Sequence, residues 1–253
     1  PELAPRDFPV DPMASMALVY EKSLLYPSRD LDLRVLQARV VGGGSAVNEG
    51  VAVRPRTSTL DHWARHGAPI DRALLEIGMG VAERRQRFAP YNRELLTSAA
   101  TRFEAAVPKA GLAVDLLHGD LATNAFQHNP ALPDVIGPQC LACGYCNHGC
   151  RFGHHLSVDR TFLLDARKAG AKLHACTPVS RIAVERGQTT GIYLDRKGLD
   201  PFVECDHVIL AAGAIGSSAL MKRSAAHSPA LGTLPTAREL SLIHISEPTR
   251  HRR

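Results

Sequence analysis

The chain has 253 residues, 45% of them hydrophobic and 22% charged, with a formal net charge of +5. A chain of this size and balance can bury a substantial core and has the composition of an ordinary globular protein. Scattered basic residues and an aromatic share of 5% argue against a nucleic-acid surface, and no run nears the ~18 apolar residues of a membrane span.

Pro1, Pro5, Pro9, Pro12 and Pro27 break up residues 1–40, and short extended pieces are expected between Leu31 and Val41. Gly42, Gly43, Gly44 and Ser45 follow directly. From Thr59 to Arg87 the spacing turns helical, with Leu60, Trp63 and Ala64 on one face and Leu74, Leu75 and Ile77 later. Leu95 to Ala110 reads as an amphipathic helix whose inward positions include Leu95, Phe103 and Val107, stopped by Gly111. Residues 118–139 carry Pro130, Pro133 and Pro138 and read as a loop.

After the cysteine cluster, Val158 to Ala169 is expected as a helix ending at Gly170, with Phe162, Leu163 and Ala166 inward. Ala171 to Cys176 is expected as a strand. Val179 to Val184 and Gly191 to Leu194 alternate as a hairpin pair, and Val203 to Ala212 reads as a further, buried strand. The resulting fold class is α/β. Leu240 to Arg250 resembles the in-frame translation of an adapter used in preparing sequencing libraries, so residues 240–253 are expected to be a non-native tail. Residues 1–239 then form the domain, with a cysteine-rich loop at 138–153.

The sharpest chemical signal is Cys140, Cys143, Cys146 and Cys150. Gaps of two, two and three residues bring four soft thiols into one loop, and Gly144 and Gly149 permit the turns that aim sulfurs inward. The run matches the ferredoxin-type C-x2-C-x2-C-x3-C pattern, with Arg151 where a proline usually follows. Structural zinc competes with an iron–sulfur cluster, although zinc sites usually split their cysteines into separated pairs. Disulfides within so short a loop would form strained rings. Cys176 and Cys205 fall on expected strands and read as buried apolar residues. His154 and His155, just beyond the cluster, are expected to be solvent-exposed.

The Gly42–Asn48 segment is not the G-x-G-x-x-G dinucleotide fingerprint. Its chemistry still suits a cofactor, because glycines let backbone N–H groups approach a ligand while Ser45 and Asn48 add side-chain donors. Val208 to Ser218 has the same character, an apolar stretch ending in small residues around Gly213 and Gly216.

The order of these segments resembles that of the glucose–methanol–choline (GMC) oxidoreductases. Residues 42–54 are similar to the family's glycine-rich flavin segment. Thr177 to Ile182, followed by Gly191 to Tyr193, is similar to its adenine-contacting strand and partner. Val208 to Ser218 is similar to its hallmark strand and turn. The resemblance implies a partial FAD-binding, Rossmann-like domain with a mixed sheet. Gly43, Gly44 and Ser45 would line the flavin and pyrophosphate, and Asn48 would hydrogen-bond near the isoalloxazine. Val179 would bind adenine through its backbone, and Ala212 and Gly213 would pack on the cofactor. Cys140, Cys146 and Cys150 satisfy the C-x5-C-x3-C spacing of the family's iron–sulfur members, and Cys143 is an addition. A three-iron or a four-iron cluster would fit.

The implied activity is hydride transfer from the CH–OH group of an alcohol or sugar to FAD, with electrons passing through the cluster to a haem or quinone. The family's catalytic His belongs to a C-terminal region, so none of the twelve histidines here is given that role, and this chain alone is expected to be inactive. A non-catalytic ferredoxin-like or zinc-binding module is the alternative. Cysteine usage leaves cytoplasm and periplasm equally open.

Overall fold

The computed structural model describes residues 1–24, 35–90, 93–111, 120–121, 140–196, 199 and 201–233. The expected tail at 240–253, the start of the expected extended stretch at 31–34, the first residues of the cysteine-rich loop at 138–139, and nearly all of the loop at 118–139 lie outside the described residues. The chain divides into two compact units, Pro1–Ala175 and Cys176–Arg253.

In the first unit, helix α1 (Pro12–Val19) starts where Asp11 accepts a 2.7 Å hydrogen bond from the backbone N–H of Ala14, with Pro12 at the first helical position. It delivers Val19 and Tyr20 into a core shared with Phe8, Ala46 and Val47. The glycine-rich segment therefore ends inside the core. Helices α2 (Thr57–Arg65) and α3 (Arg72–Gln86) replace the single helical stretch expected from Thr59 to Arg87. Asp71 caps α3 by accepting from the N–H groups of Ala73 and Leu74. Leu74 and Ile77 on α3 are exposed, so periodicity located an apolar face without saying what covers it. Helix α4 (Ser98–Lys109) is capped by Thr97 and keeps Val107 buried, whereas Phe103 is exposed. Helix α5 (Phe162–Lys168) follows a short 3-10 turn over Val158–Arg160 and ends near Gly170, close to the expected stop. Strands β1 (Val51–Ala52) and β2 (Ala89–Pro90) both pair antiparallel with β3 (Asp120–Leu121).

The second unit begins with the expected hairpin. Strands β4 (Val179–Glu185) and β5 (Gln188–Leu194) pair antiparallel, with Glu185 opposite Gln188. The two residues between them, Arg186 and Gly187, both have positive φ, the geometry of the two-residue turn that matches strand twist. Strand β6 (Phe202–Glu204) adds to β5. Helix α6 (Gly213–Ala225) packs on β4 through Ser224, which is fully buried. Its hydroxyl accepts from the Ile182 N–H at 2.8 Å and donates to the Leu220 carbonyl at 2.8 Å.

Two expected strands need correction. Val208 to Ala211 is not a buried strand, and Ile209 is 92% exposed. Strand backbone must be paired, and among the described residues no strand pairs with this stretch. Ala171 to Cys176 forms no strand either. Cys176 sits in a turn at positive φ and is exposed, while Cys205 is half-buried. Composition alone gave both their buried character, and composition does not report a missing neighbour.

Candidate functional site

The cysteine loop folds around left-handed or extended-positive turns at Ala142, Gly144 and Gly149, with a 3-10 turn over Cys146–His148 between them. All six cysteines are free thiols. Cys140, Cys146 and Cys150 are half-buried, and Cys143 is exposed. Burial pushes the Cys146 thiol up to about 11 and also raises that of Cys140, and the neighbouring thiols add to both shifts. The four sulfur-bearing residues line one cavity of about 360 Å³, together with Glu49, Val51 and Arg151. Among the described residues, no three His, Cys, Asp or Glu side chains sit closely enough to hold a single metal ion.

A second cavity of about 500 Å³ opens beside the glycine-rich segment, lined by Gly44, Val47, Asn48, Met16 and Tyr20 among others. Glu49 and Val51 line both cavities, so the two share a wall. The wall is braced from the core. The Tyr20 hydroxyl reaches the carbonyls of Val47 (3.0 Å) and Asn147 (2.8 Å), and the Asn147 amide donates to Glu49 Oε1 at 3.2 Å. Ser15 donates to the His148 carbonyl. The cysteine loop is thereby fixed to α1 and to the glycine-rich segment.

Each flavin-side residue expected from the sequence has a definite place. Around Gly43 and Gly44 there is open space where side chains would project, as a site for a flat ligand requires. The Ser45 hydroxyl is engaged within the protein, donating to the Gly42 carbonyl at 2.7 Å and accepting from the Val158 N–H at 3.0 Å. Asn48 lines the second cavity, and its Oδ1 accepts from the Gly50 N–H at 2.8 Å. Asp159 lies against Gly42, where a Cβ would overlap its carboxylate. Burial holds that carboxyl above the usual range, offset in part by the hydrogen bond from Ser157. In the second unit, Val179 opens β4 half-buried, and its carbonyl accepts from Arg223 at 3.4 Å. Ala212 and Gly213 are exposed at the start of α6, where the Ala212 N–H donates to Ser217.

His154 and His155 correct an expectation: they are 1% and 4% exposed. They belong to a run through Leu156 and Ser157 that is buried throughout. The missed participants are Tyr20, Glu49, Val51 and Asn147. Asn147 stands inside the cysteine run and was visible in its spacing. Tyr20 lies far from either motif and carried no local signal.

A family model described as GMC oxidoreductase matches residues 16–234. Uncharacterized GMC-type oxidoreductases from two strains of Mycobacterium tuberculosis are each 30% identical over 194 residues, 74% of this chain and 28% of theirs. A long-chain-alcohol oxidase of Arabidopsis thaliana, FAO4B, is 23% identical over 242 residues, covering 86% of this chain and 29% of its own length. The chain thus spans under a third of these relatives. The α/β class read from the sequence holds, and the matched region corresponds to an FAD-binding, Rossmann-like N-terminal domain. The chain belongs to the GMC oxidoreductase family.

Proposed function

We propose that this chain forms part of an FAD-dependent dehydrogenase acting on the CH–OH group of an alcohol or sugar. Cys140, Cys143, Cys146 and Cys150 would hold an iron–sulfur cluster that relays electrons to a haem or quinone. The observation that carries this reading is the wall shared by the glycine-lined cavity and the thiol-lined one, formed by Glu49 and Val51. When bound, the flavin accepts the substrate hydride and the cluster passes its electrons on singly.

The chain's own residues have separate tasks. Gly43 and Gly44 leave room for the flavin and pyrophosphate. Ser45 shapes that turn, because its hydroxyl is committed to Gly42 and Val158. Asn48 offers its amide NH2 to the ring, since its Oδ1 is taken by Gly50. Following the family resemblance, Val179 would present its backbone to the adenine, and Ala212 and Gly213 would pack on the cofactor. The names of the plant relatives support an alcohol as substrate.

The donor set suits a cluster better than zinc. The four cysteines form one continuous run rather than the two separated pairs usual for zinc. That spacing suits a multi-iron cluster, in which each thiolate binds a different iron.

Anaerobic loading with iron and sulfide is expected to give a brown protein with about three or four irons per chain. Replacing Cys140, Cys146 or Cys150 by Ser should abolish it. Cys143→Ser should retain a three-iron signal in electron paramagnetic resonance, because Cys143 is the exposed thiol and the extra one in the spacing. A colourless protein holding one zinc would overturn the cluster. Full-length enzyme that reduces oxygen as fast as an artificial dye would overturn the electron relay.

A further inference from the structure

Helix α2 carries a pair of histidines that neither the glycine-rich segment nor the cysteine loop uses. His62 lies within the helix, and His66 caps its C-terminal end. Four positions apart, the two fall on one helix face. Their ring centroids are 4.1 Å apart at an interplanar angle of 34°. Both residues are exposed, so an ion can reach them from solvent.

The geometry also fixes a tautomer. His66 Nδ1 stands 2.8 Å from the His62 carbonyl oxygen. A carbonyl only accepts, so the neutral ring carries its proton on Nδ1 and keeps a lone pair on Nε2. Metal-binding histidines are held in this way, the second ring nitrogen donating to a carbonyl or carboxylate. The pair also sits at the C-terminal end of α2, where the helix dipole favours a cation. The neighbouring carboxylate, Asp61, is engaged by Arg72. Among the described residues no third His, Cys, Asp or Glu completes a set of three.

We propose that His62 and His66 chelate one divalent transition-metal ion of the zinc class, through Nε2 of His66 and a ring nitrogen of His62. Imidazole suits zinc, copper and nickel, whereas calcium and magnesium prefer oxygen. Two ring nitrogens at about 2.0–2.1 Å and two waters fill the four positions of a zinc ion. The ion ties the helix interior to the residue that ends it, and so fastens the last turn of α2. The pair shares no residue with the thiol-lined cavity. It stands whether or not that cavity holds a cluster.

The test is a titration of the full chain with zinc chloride at neutral pH, followed through the imidazole NMR signals. The His62 and His66 rings should move together and saturate at one common zinc concentration. Zinc taken up by the cysteines should leave these two rings unmoved, which keeps the competing site apart. His62→Gln should weaken the His66 response at least tenfold, and His66→Gln the His62 response, because a chelate loses its effective concentration with either ring. Both side chains are exposed, and circular dichroism checks that the variants keep the fold. Amide exchange at His66 and Gly67 should slow when zinc is added to wild type, and not in His62→Gln. Rings that titrate independently, each indifferent to loss of the other, overturn the chelate. Rings that do not move at millimolar zinc overturn the site altogether.

Discussion

Gly149→Ala is expected to lower the melting temperature by roughly 10 °C and to strip the protein of most of its iron-loading capacity. Gly149 has φ 87° and ψ 139°, a combination essentially restricted to glycine. A Cβ there would also collide with the ring of Phe8. That ring cannot simply swing away, because Phe8 is 8% exposed and packs with Val19, Tyr20, Ala46 and Val47. Backbone strain and overpacking each cost about 1–3 kcal/mol, so a total of about 2–6 kcal/mol follows. Cys150 is the next residue, so the displaced backbone takes one thiol with it. A double-mutant cycle separates the two causes: Phe8→Leu in the Gly149→Ala background should recover the overpacking part and leave the strain. A melting temperature within a degree or two of wild type would show that the ring does not rest on this backbone.

The second large effect is a pH dependence from His155. This imidazole is 4% exposed, its Nδ1 has no hydrogen-bond partner, and burial lowers its pKa from the ordinary 6.5 to about 4. A histidine depressed in this way is neutral in both folded and unfolded chains above pH 6.5, where it leaves stability untouched. As the pH falls from 6.5 towards 4, the unfolded chain takes up a proton that the folded chain resists. The folded state then loses about 3 kcal/mol in total across that window. Denaturant melts of wild-type protein should fall steeply in that interval, and His155→Gln, which cannot titrate, should flatten the slope. An imidazole that titrates near 6.5 by NMR would contradict the burial.

Where sequence and structure agree, the information was local. The β4–β5 hairpin was readable because alternation and a short break at Arg186 and Gly187 are properties of neighbouring residues. The α4 helix and its end near Gly111 follow from spacing and a glycine at φ +65°. The cysteine loop was readable for the same reason, since four thiols in one short loop can reach a common space. Where they disagree, the deciding partner lay elsewhere in the chain. Val208–Ala211 is apolar enough for a strand, yet its strand character depends on a neighbour that its own residues do not encode. His154 and His155 look like surface residues by type, and they are buried by the elements around the loop. Tyr20 could not be flagged at all, because its importance lies in two carbonyls, one of them 127 residues away.

The Tyr20 hydroxyl, Ser45 and the Ser15–His148 contact have a dynamic consequence. Together they stitch Ser15, Tyr20 and Ser45 to residues 147–158, more than a hundred positions away in sequence. Pieces tied in this way lose their protection together rather than one after the other. Amide hydrogen exchange should therefore find the backbone N–H groups of Val47 and Gly149 opening as one cooperative unit with a common free energy. Either stretch, loosened by a distant substitution, would carry the other with it.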